Sequence, residues 1–502
     1  MRLSLSAFFI PWFVVVPLAA AFVNSLLGRR IRGLPALLSC LTTIFLLGLS
    51  LFTTQLVRIN TTLVYYVWGW KPPIGISMVL DGFTAFMLVT VNLVAFAIAV
   101  YATDYMERYT SKAMFYSLLL LMLSGMNGVI VAGDLFNLFV FLEIAAVASY
   151  ALEAFGTERH ELEAAFKYAV MGTVGSLFIL LGIVFLYSVT STLNMADMSL
   201  MLAGQRDHNL ILMVSVLFLV GFGLKAALVP FHAWLPDAHP SAPAPISAML
   251  SGVLIKTLGV YALCRIFYNV IGFTPMLSDI LMFLGTLSMV VGVLLAMGQR
   301  DLKRLLAYSS ISQVGYVFLG IGLGTPLGIL GGVFHLFNHS VSKSLLFLNS
   351  GAVEYATGTR DLKVLGGLRE KMPITGATSF LASMSIAGIP PFGGFWSKLL
   401  IIIAAVQAGY LGYALWAVIV SVLTLALFVT VFKDVFLGEP QHVWQGVKEV
   451  PGRMQVSMIV LALLSMVSGL LLLPDVKEAF LRPATAIFLE GTHYAQVILG
   501  DI

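Results

Sequence analysis

Charge is scarce in this sequence. Asp, Glu, Lys and Arg make up only 10% of its 502 residues, against about 25% in an ordinary soluble domain, so a water-exposed surface of normal polarity cannot be built from it. Cysteine is scarcer. Cys40 and Cys264 both lie inside apolar runs and offer no CxxC pair, no zinc set and no iron–sulfur ligand set. Neither a cofactor nor a metal is expected in this chain, and redox chemistry would have to sit in another subunit. The formal net charge of +4 is small and the basic residues are spread among loops, which leaves no patch for nucleic acid.

Apolar surface is what the chain has in abundance. Hydrophobic residues make up 59% of it and the mean hydropathy is +0.98. Runs of about 20 apolar residues, the length that crosses a hydrocarbon core, recur along almost the whole sequence. An all-α membrane protein is expected, with the lipid bilayer as its solvent. Spans are predicted near 6–27, 34–57, 79–102, 112–132, 134–154, 162–189, 209–229, 241–270, 276–297, 302–322, 326–349, 374–406, 411–436 and 454–473, about fourteen in all. The first run, Phe8 to Leu27, has only Arg2 before it and Arg29, Arg30 and Arg32 after it, and reads as a retained span rather than a cleaved signal.

Orientation follows from the basic residues. Loops after odd-numbered spans hold Arg29, Arg30, Arg32, Arg108, Lys112, Arg159, Arg300, Lys303, Arg304, Arg360, Lys363, Arg369, Lys371, Lys448 and Arg453, while loops after even-numbered spans hold only Arg58, Lys71 and Arg206. The positive-inside rule then puts the odd loops in the cytoplasm and both termini on the outer face of a cell's inner (plasma) membrane. The segment from Ile59 to Pro73, with Tyr65, Tyr66, Trp68 and Trp70, falls on the outer face, where interfacial aromatics belong. The cluster Arg300, Asp301, Lys303 and Arg304 reads as a cytoplasmic-interface feature.

Two spans are interrupted. The seventh ends in Leu228-Val229-Pro230-Phe231-His232-Ala233-Trp234-Leu235-Pro236, and the twelfth contains Gly388-Ile389-Pro390-Pro391-Phe392-Gly393-Gly394-Phe395-Trp396. Broken backbone at membrane depth is tolerated where it is buried in protein or lines a cavity, and paired interruptions point to internally repeated transporters. The predicted organisation is 1–111 for spans one to three with the outer-face loop, 112–270 for a first repeat of spans four to eight, 276–436 for a second of spans nine to thirteen, and 437–502 for the last span and tail. Ordinary proline kinks are the plainer alternative; lysines beside both breaks weigh against it.

A charge at mid-bilayer costs roughly 2.5–3.5 kcal/mol or more, so each intramembrane ionisable residue needs a reason. Glu143 falls about ten residues into span five, Lys167 in span six, Lys225 just before the first break, Lys256 in span eight and Lys398 beside the second break. His335, His339 and Lys343 follow one another at four-residue spacing in span eleven. That spacing stacks them on one helix face over roughly 12 Å. Such groups suit a proton relay, because desolvation brings buried lysines and carboxylates toward neutrality in their titration and histidine titrates near physiological pH already. Glu143 beside Lys225 would be a switchable pair, each stabilising the charged form of the other. A lone lysine such as Lys256 has a plainer alternative in snorkelling to an interface or satisfying carbonyls freed by a broken helix. His335 and His339 as metal ligands are rejected, since no HExxH pattern and no third ligand accompany them. Asp134 lies 180° round the helix from Glu143 and reads as an N-terminal cap.

The sequence resembles the large antiporter-like subunits shared by respiratory complex I, membrane-bound hydrogenases and Mrp-type multisubunit cation/proton antiporters. The stretches that carry the resemblance run from Gly133-Asp-Leu-Phe-Asn to Glu143, Leu162-Glu-Ala-Ala-Phe-Lys167-Tyr, Gly223-Leu-Lys225 through His232 and His239 to Lys256, Leu305-Leu-Ala-Tyr-Ser-Ser-Ile-Ser, and Gly388 to Lys398. The run around His232 is the most specific. The resemblance implies fourteen helices, two inverted five-helix repeats and a proton path along a mid-membrane polar axis. Glu143 and Lys225 would be the coupling pair of the first half-channel, Lys256 with His335, His339 and Lys343 the central connection, and Lys398 the terminal site of the second. Lys398 as lysine argues against the branch that places glutamate there. The absence of a long apolar segment after Asp475 points to the shorter branch, nearest the D component of the Mrp antiporters and its hydrogenase counterpart, and Lys167 fits that branch too.

Two functions remain open from sequence: a proton-translocating subunit of an Mrp-type sodium/proton antiporter, and the pumping module of a redox-driven complex such as a hydrogenase or quinone reductase. Either implies other membrane subunits as partners, with protons as the cargo and sodium as the candidate second cation. A stand-alone carrier of an organic solute is disfavoured, because few amide or aromatic groups converge on a pocket.

Overall fold

A computed structural model describes residues 5–204, 209–437, 444 and 446–499; Arg2 and Arg206 lie outside them. Helix dominates because lipid offers no partner for backbone N–H and C=O groups, so a spanning segment must satisfy them internally. In chain order the main elements are α1 (Trp12–Leu27), α2 (Leu34–Asn60), β1 (Leu63–Tyr66), β2 (Ser77–Leu80), α3 (Gly82–Tyr105), α4 (Lys112–Val131), α5 (Leu135–Glu153), α6 (Arg159–Thr190), the short α7 (Met195–Met201), α8 (Asn209–Lys225) and the short α9 (Leu235–Ser241). Then follow α10 (Ala244–Ile271), α11 (Pro275–Met297), α12 (Leu302–Gly322), α13 (Pro326–Thr357), α14 (Pro373–Ala387), α15 (Gly393–Gln407), α16 (Leu411–Leu437), α17 (Gly452–Leu472), α18 (Arg482–Glu490) and α19 (Tyr494–Leu499).

Among the described residues, 11 helices are long and apolar enough to cross a membrane. Asn209–Lys225 and Gly393–Gln407 are apolar but shorter, each ending or starting at one of the two anticipated breaks. The 32-residue α13 is the long exception to apolarity, since it carries His335, Asn338, His339, Ser340, Ser342, Lys343, Ser344, Asn349 and Ser350, all buried. The polar file predicted for that span is the reason it does not read as an ordinary lipid-facing helix.

Short polar side chains start the helices. Asp81 accepts from the Thr84 N–H, Asp134 from Asn137, Thr274 from Leu277, Asp301 from Arg304 and Thr325 from Gly328, each satisfying a donor that the first turn leaves free. The cap expected at Asp134 is present. The segment between α2 and α3 is an antiparallel hairpin, with Leu63 opposite Leu80 and Tyr66 opposite Ser77, and the Trp68 side chain is exposed at its tip.

Burial sorts the helices into a centre and a rim. The apolar window of α10 is wholly enclosed and that of α12 nearly so, whereas the windows of α16 and α17 are mostly exposed. α10 is also irregular, with π-helical turns at Leu250–Leu254, Lys256–Tyr261 and Ile266–Ile271, a geometry found mostly at functional sites. After α17 the chain folds back on the body. Asn269 donates to the Ile487 and Gly491 carbonyls at 2.9 and 3.0 Å, and the Tyr66 hydroxyl to the Ile498 carbonyl at 3.3 Å. These contacts bind hairpin, α10 and tail together.

Close helix packing depends on small residues, as is usual inside membranes. A Cβ on Gly292 of α11 would sit 2.5 Å from the Ser312 amide nitrogen and 2.9 Å from the Tyr308 carbonyl oxygen of α12. Neither atom can move without shifting that helix. Gly292→Leu is expected to destabilise the protein by about 1–3 kcal/mol or more, the scale of overpacking, read as a lowered melting temperature in detergent; an unchanged melting temperature would show that the two helices slide freely.

Candidate functional site

The first cluster lies where α5, α6 and α8 meet. Lys225 is the last residue of α8, buried, with its Nζ 3.8 Å from Glu143 Oε1 and 3.4 Å from the Tyr150 hydroxyl oxygen. Glu143 also accepts from the Ser176 hydroxyl, and 31% of its side chain is exposed. The helix stops here because the chain turns at Ala227, a non-glycine residue at φ 56°. The freed Leu224 carbonyl is taken by the Trp234 indole N–H at 3.0 Å, and the Val229 N–H finds the Ser288 hydroxyl at 3.0 Å. Trp234 in turn stacks on Tyr168, ring centroids 4.3 Å apart. The pairing expected of Glu143 and Lys225 is thus present, with Tyr150 as a third member that only the fold brings in.

At the centre, Lys256 is fully buried and donates to the Ser251 carbonyl within the π-helical stretch of α10. The Ser251 and Ser310 hydroxyls are 2.7 Å apart, and Lys343 donates to the Ser309 hydroxyl at 2.8 Å. Ser309 and Ser310, neighbours on α12, thus meet Lys343 and Ser251 respectively, with no hydrogen bond between the two serines among the described residues. The rings of His335 and His339 are parallel to within 5°, centroids 6.3 Å apart, as the four-residue spacing requires. His335 Nδ1 lies 2.9 Å from the Ser397 Oγ, one residue from Lys398. Both ring nitrogens of His339, Nε2 of His335 and both side-chain polar atoms of Gln313 are buried with no hydrogen-bond partner among the described residues.

The second break holds Lys398. α14 ends at Gly388, whose φ of 85° is left-handed, a conformation glycine adopts without strain. The last carbonyls of α14 then lack helical partners. Lys398 donates to those of Ile386 and Ala387 at 2.7 and 3.5 Å, and Ser421 donates to Ala387 at 3.1 Å. The Lys398 ammonium also lies 4.8 Å from the centroid of the Tyr316 ring, a cation–π distance.

Two predicted members stand apart from this file. Lys167 has a side chain 49% exposed and pairs with Glu163 at 2.9 Å and Asp237 at 3.3 Å. His232 is half-buried in the first break with no partner for Nδ1 among the described residues. The reading of Arg300, Asp301, Lys303 and Arg304 as an interface cluster needs correcting at Lys303. Its side chain is buried, donating to the Ala242 carbonyl at 2.9 Å and pairing with Glu354 at 3.3 Å. A long apolar stem lets such a head group reach inward from a helix start. Arg304 does lie at the surface, paired with Asp237 at 3.2 Å.

Sequence reasoning also missed the Asp81–Arg265 pair, with Nη1 to Oδ2 at 2.7 Å and both side chains buried, and the buried Glu153. Asp81 and Glu153 stand at the ends of apolar runs. Only the unbroken apolar context of Arg265, Tyr-Ala-Leu-Cys-Arg-Ile-Phe-Tyr from Tyr261, could have marked one of them.

Likeness to known proteins extends over nearly the whole chain. The family described as NADH:quinone oxidoreductase/Mrp antiporter, TM, matches residues 132–424, and that described as NADH-ubiquinone oxidoreductase (complex I), chain 5 N-terminus, matches residues 72–116. The chain is 37% identical to NADH-quinone oxidoreductase subunit N of Desulforudis audaxviator, across 91% of this chain and 94% of that protein. It is 33% identical to the D component of the Na(+)/H(+) antiporter of Alkalihalophilus pseudofirmus, across 97% and 99%. A chain of the solved Mrp complex from Dietzia sp. superposes with a TM-score of 0.92 at 29% identity, covering 99% of this chain and 100% of that one. The chain, with its two broken helices and buried lysine file, belongs to the NADH:quinone oxidoreductase/Mrp antiporter family of membrane proteins.

Proposed function

We propose that this chain is a proton-translocating subunit of a multisubunit Mrp-type sodium/proton antiporter. The observation that carries the reading is a series of clusters of protonatable groups inside the helical body: Glu143 with Lys225, Lys256 and Lys343 each hydrogen-bonded beside the serines Ser251, Ser309 and Ser310, and His335 with Ser397 beside Lys398. In this reading Glu143 sets the charge state of Lys225, the central lysines and histidines relay, and Lys398 is the exit site. All fourteen helical segments cross the membrane, in two inverted five-helix repeats, with the arginine-rich loops in the cytoplasm and both termini outside. The partly exposed Glu143 and the Lys167–Glu163 pair lie on a face where a neighbouring membrane subunit would complete their surroundings. Lys167 and His232 are peripheral to the relay, on the approach to the first break.

A second reading, the pumping subunit of a redox-driven quinone reductase or hydrogenase complex, is favoured by the 37% identity to a quinone oxidoreductase subunit N. The two differ in energy source, not in the chemistry of this chain. Purification under mild detergent with mass spectrometry of the co-purifying subunits separates them. Small subunits without metal centres are the expected result; iron–sulfur or nickel subunits would transfer the chain to the second reading, and a lone chain that moves protons would remove both.

A further inference from the structure

Glu153 closes α5 and belongs to no part of the lysine and histidine file. It is fully buried, and neither carboxylate oxygen has a hydrogen-bond partner among the described residues. α5 packs against α4, α6, α9 and α10, and the ionised group that acts on Glu153 from these elements is the Asp237 carboxylate of α9, a like charge already engaged by Lys167 and Arg304. The other titratable neighbours are phenols, Tyr150 on its own helix and Tyr168 on α6. No cation among the described residues faces it. An anion here would be stripped of water and given only repulsion in exchange, which favours the neutral acid. A neutral acid inside a membrane protein is a stored proton.

Its position gives that proton somewhere to go. Ser149 lies one turn back on the same face of α5, the four-residue spacing that makes helix side chains neighbours. The Ser149 hydroxyl donates to the Tyr168 hydroxyl at 3.0 Å. Tyr168 meets Tyr150 edge to face, centroids 4.6 Å apart, and the Tyr150 hydroxyl is the one 3.4 Å from Lys225 Nζ. We infer that Glu153 is a proton-holding site on the arginine-rich side of the first half, and that it reloads Lys225 by way of Ser149, Tyr168 and Tyr150. In the transfer the Glu153 O–H bond breaks, water bridges the gaps from Glu153 to Ser149 and from Tyr168 to Tyr150, which no hydrogen bond spans among the described residues, and the neutral Lys225 amine gains an N–H bond to become ammonium. The Glu153 carboxylate then takes a proton from water on the side of Arg108, Lys112 and Arg159. This rests on the reading of Lys225 as a proton carrier.

The test has a readout independent of transport. Infrared spectra of the purified wild-type complex at neutral pH are expected to contain the carbonyl band of a protonated carboxylic acid that shifts on carboxyl-labelling of glutamate and is missing from Glu153→Gln. Proton transport by the assembled Glu153→Gln complex in vesicles is expected to fall about a hundredfold, the lower end for loss of a positioned acid–base group, and Glu153→Asp to recover much of it. If no such band is missing from Glu153→Gln, or if that variant transports at the wild-type rate, the inference is overturned. Lys225→Ala run in parallel tells the two readings apart: transport surviving there defeats the relay itself, whereas failure confined to Glu153 leaves the relay standing.

Discussion

Lys225→Ala is expected to abolish proton transport, a loss of at least about a hundredfold on the scale of positioned acid–base groups, while the complex still assembles. Glu143→Ala is expected to do the same. The geometry gives the reason. The Lys225 ammonium has two polar neighbours, Glu143 at 3.8 Å and the Tyr150 hydroxyl at 3.4 Å, and it ends a helix whose freed carbonyl is capped by Trp234, not by Lys225. Truncating Lys225 therefore removes the group there that can hold a proton as a cation, yet leaves the break intact. Removing Glu143 takes away the anion that keeps the buried ammonium charged. Because the two act as one switch, Glu143→Ala with Lys225→Ala should be no slower than either alone. Vesicle transport normalised to complex content on a native gel measures all three. Wild-type flux from either single variant would refute the switch.

Asp81→Ala is expected to have the largest effect on folding. Asp81 meets both guanidinium nitrogens of Arg265, at 2.7 and 2.9 Å, and also caps α3 through the Thr84 N–H at 2.9 Å. Breaking a buried pair by removing one partner strands the other charge, typically at about 3–5 kcal/mol, and a lost cap adds about 1 kcal/mol. Arg265 is further held by the Tyr261 and Thr84 hydroxyls and lies near Asn269, which anchors the C-terminal tail. Loss of the pair should therefore free the tail as well. Thermal unfolding and limited proteolysis after residue 472 should both register it. Combining Asp81→Ala with Arg265→Met should restore much of the stability, since an apolar replacement of both partners leaves no stranded charge; a double variant as unstable as Asp81→Ala would refute this account.

How much of this was legible in the sequence depended on what kind of signal each feature leaves. Long apolar runs located the helical segments, and the proline–glycine clusters at Pro230 and Pro390 located both breaks, because backbone constraints are written in residue type. Lysines in the middle of apolar runs stood out for the same reason: nothing else explains their cost. Glu153 and Lys303 stand near the ends of such runs, where a charge is ordinary, and only tertiary packing decided that they are buried, whereas Arg265 lies inside an apolar run and could have been marked there. Ser309 and Ser310 were visible as part of a motif but not as the partners of Lys343 and Ser251, since a serine in a helix leaves no local sign of its partner. Lys167, placed in span six by count, has a half-exposed side chain paired with Glu163 and Asp237.

The bonds made by the lysines of the file differ in kind. Lys225 faces a carboxylate, but Lys256 and Lys398 face backbone carbonyls and Lys343 a hydroxyl. Dipoles can hold an ammonium without cancelling its charge, and among the described residues Lys256, Lys343 and Lys398 have no carboxylate counter-ion. Eight positions separate His335 from Lys343, a rise of about 12 Å, and two unit charges that far apart repel by about 1.4 kcal/mol at an effective dielectric constant near 20. That is a bias of about tenfold against charging both of these sites at once. The file has a low capacitance: it tolerates few charges at a time, and a charge arriving at one end tends to expel one from the other.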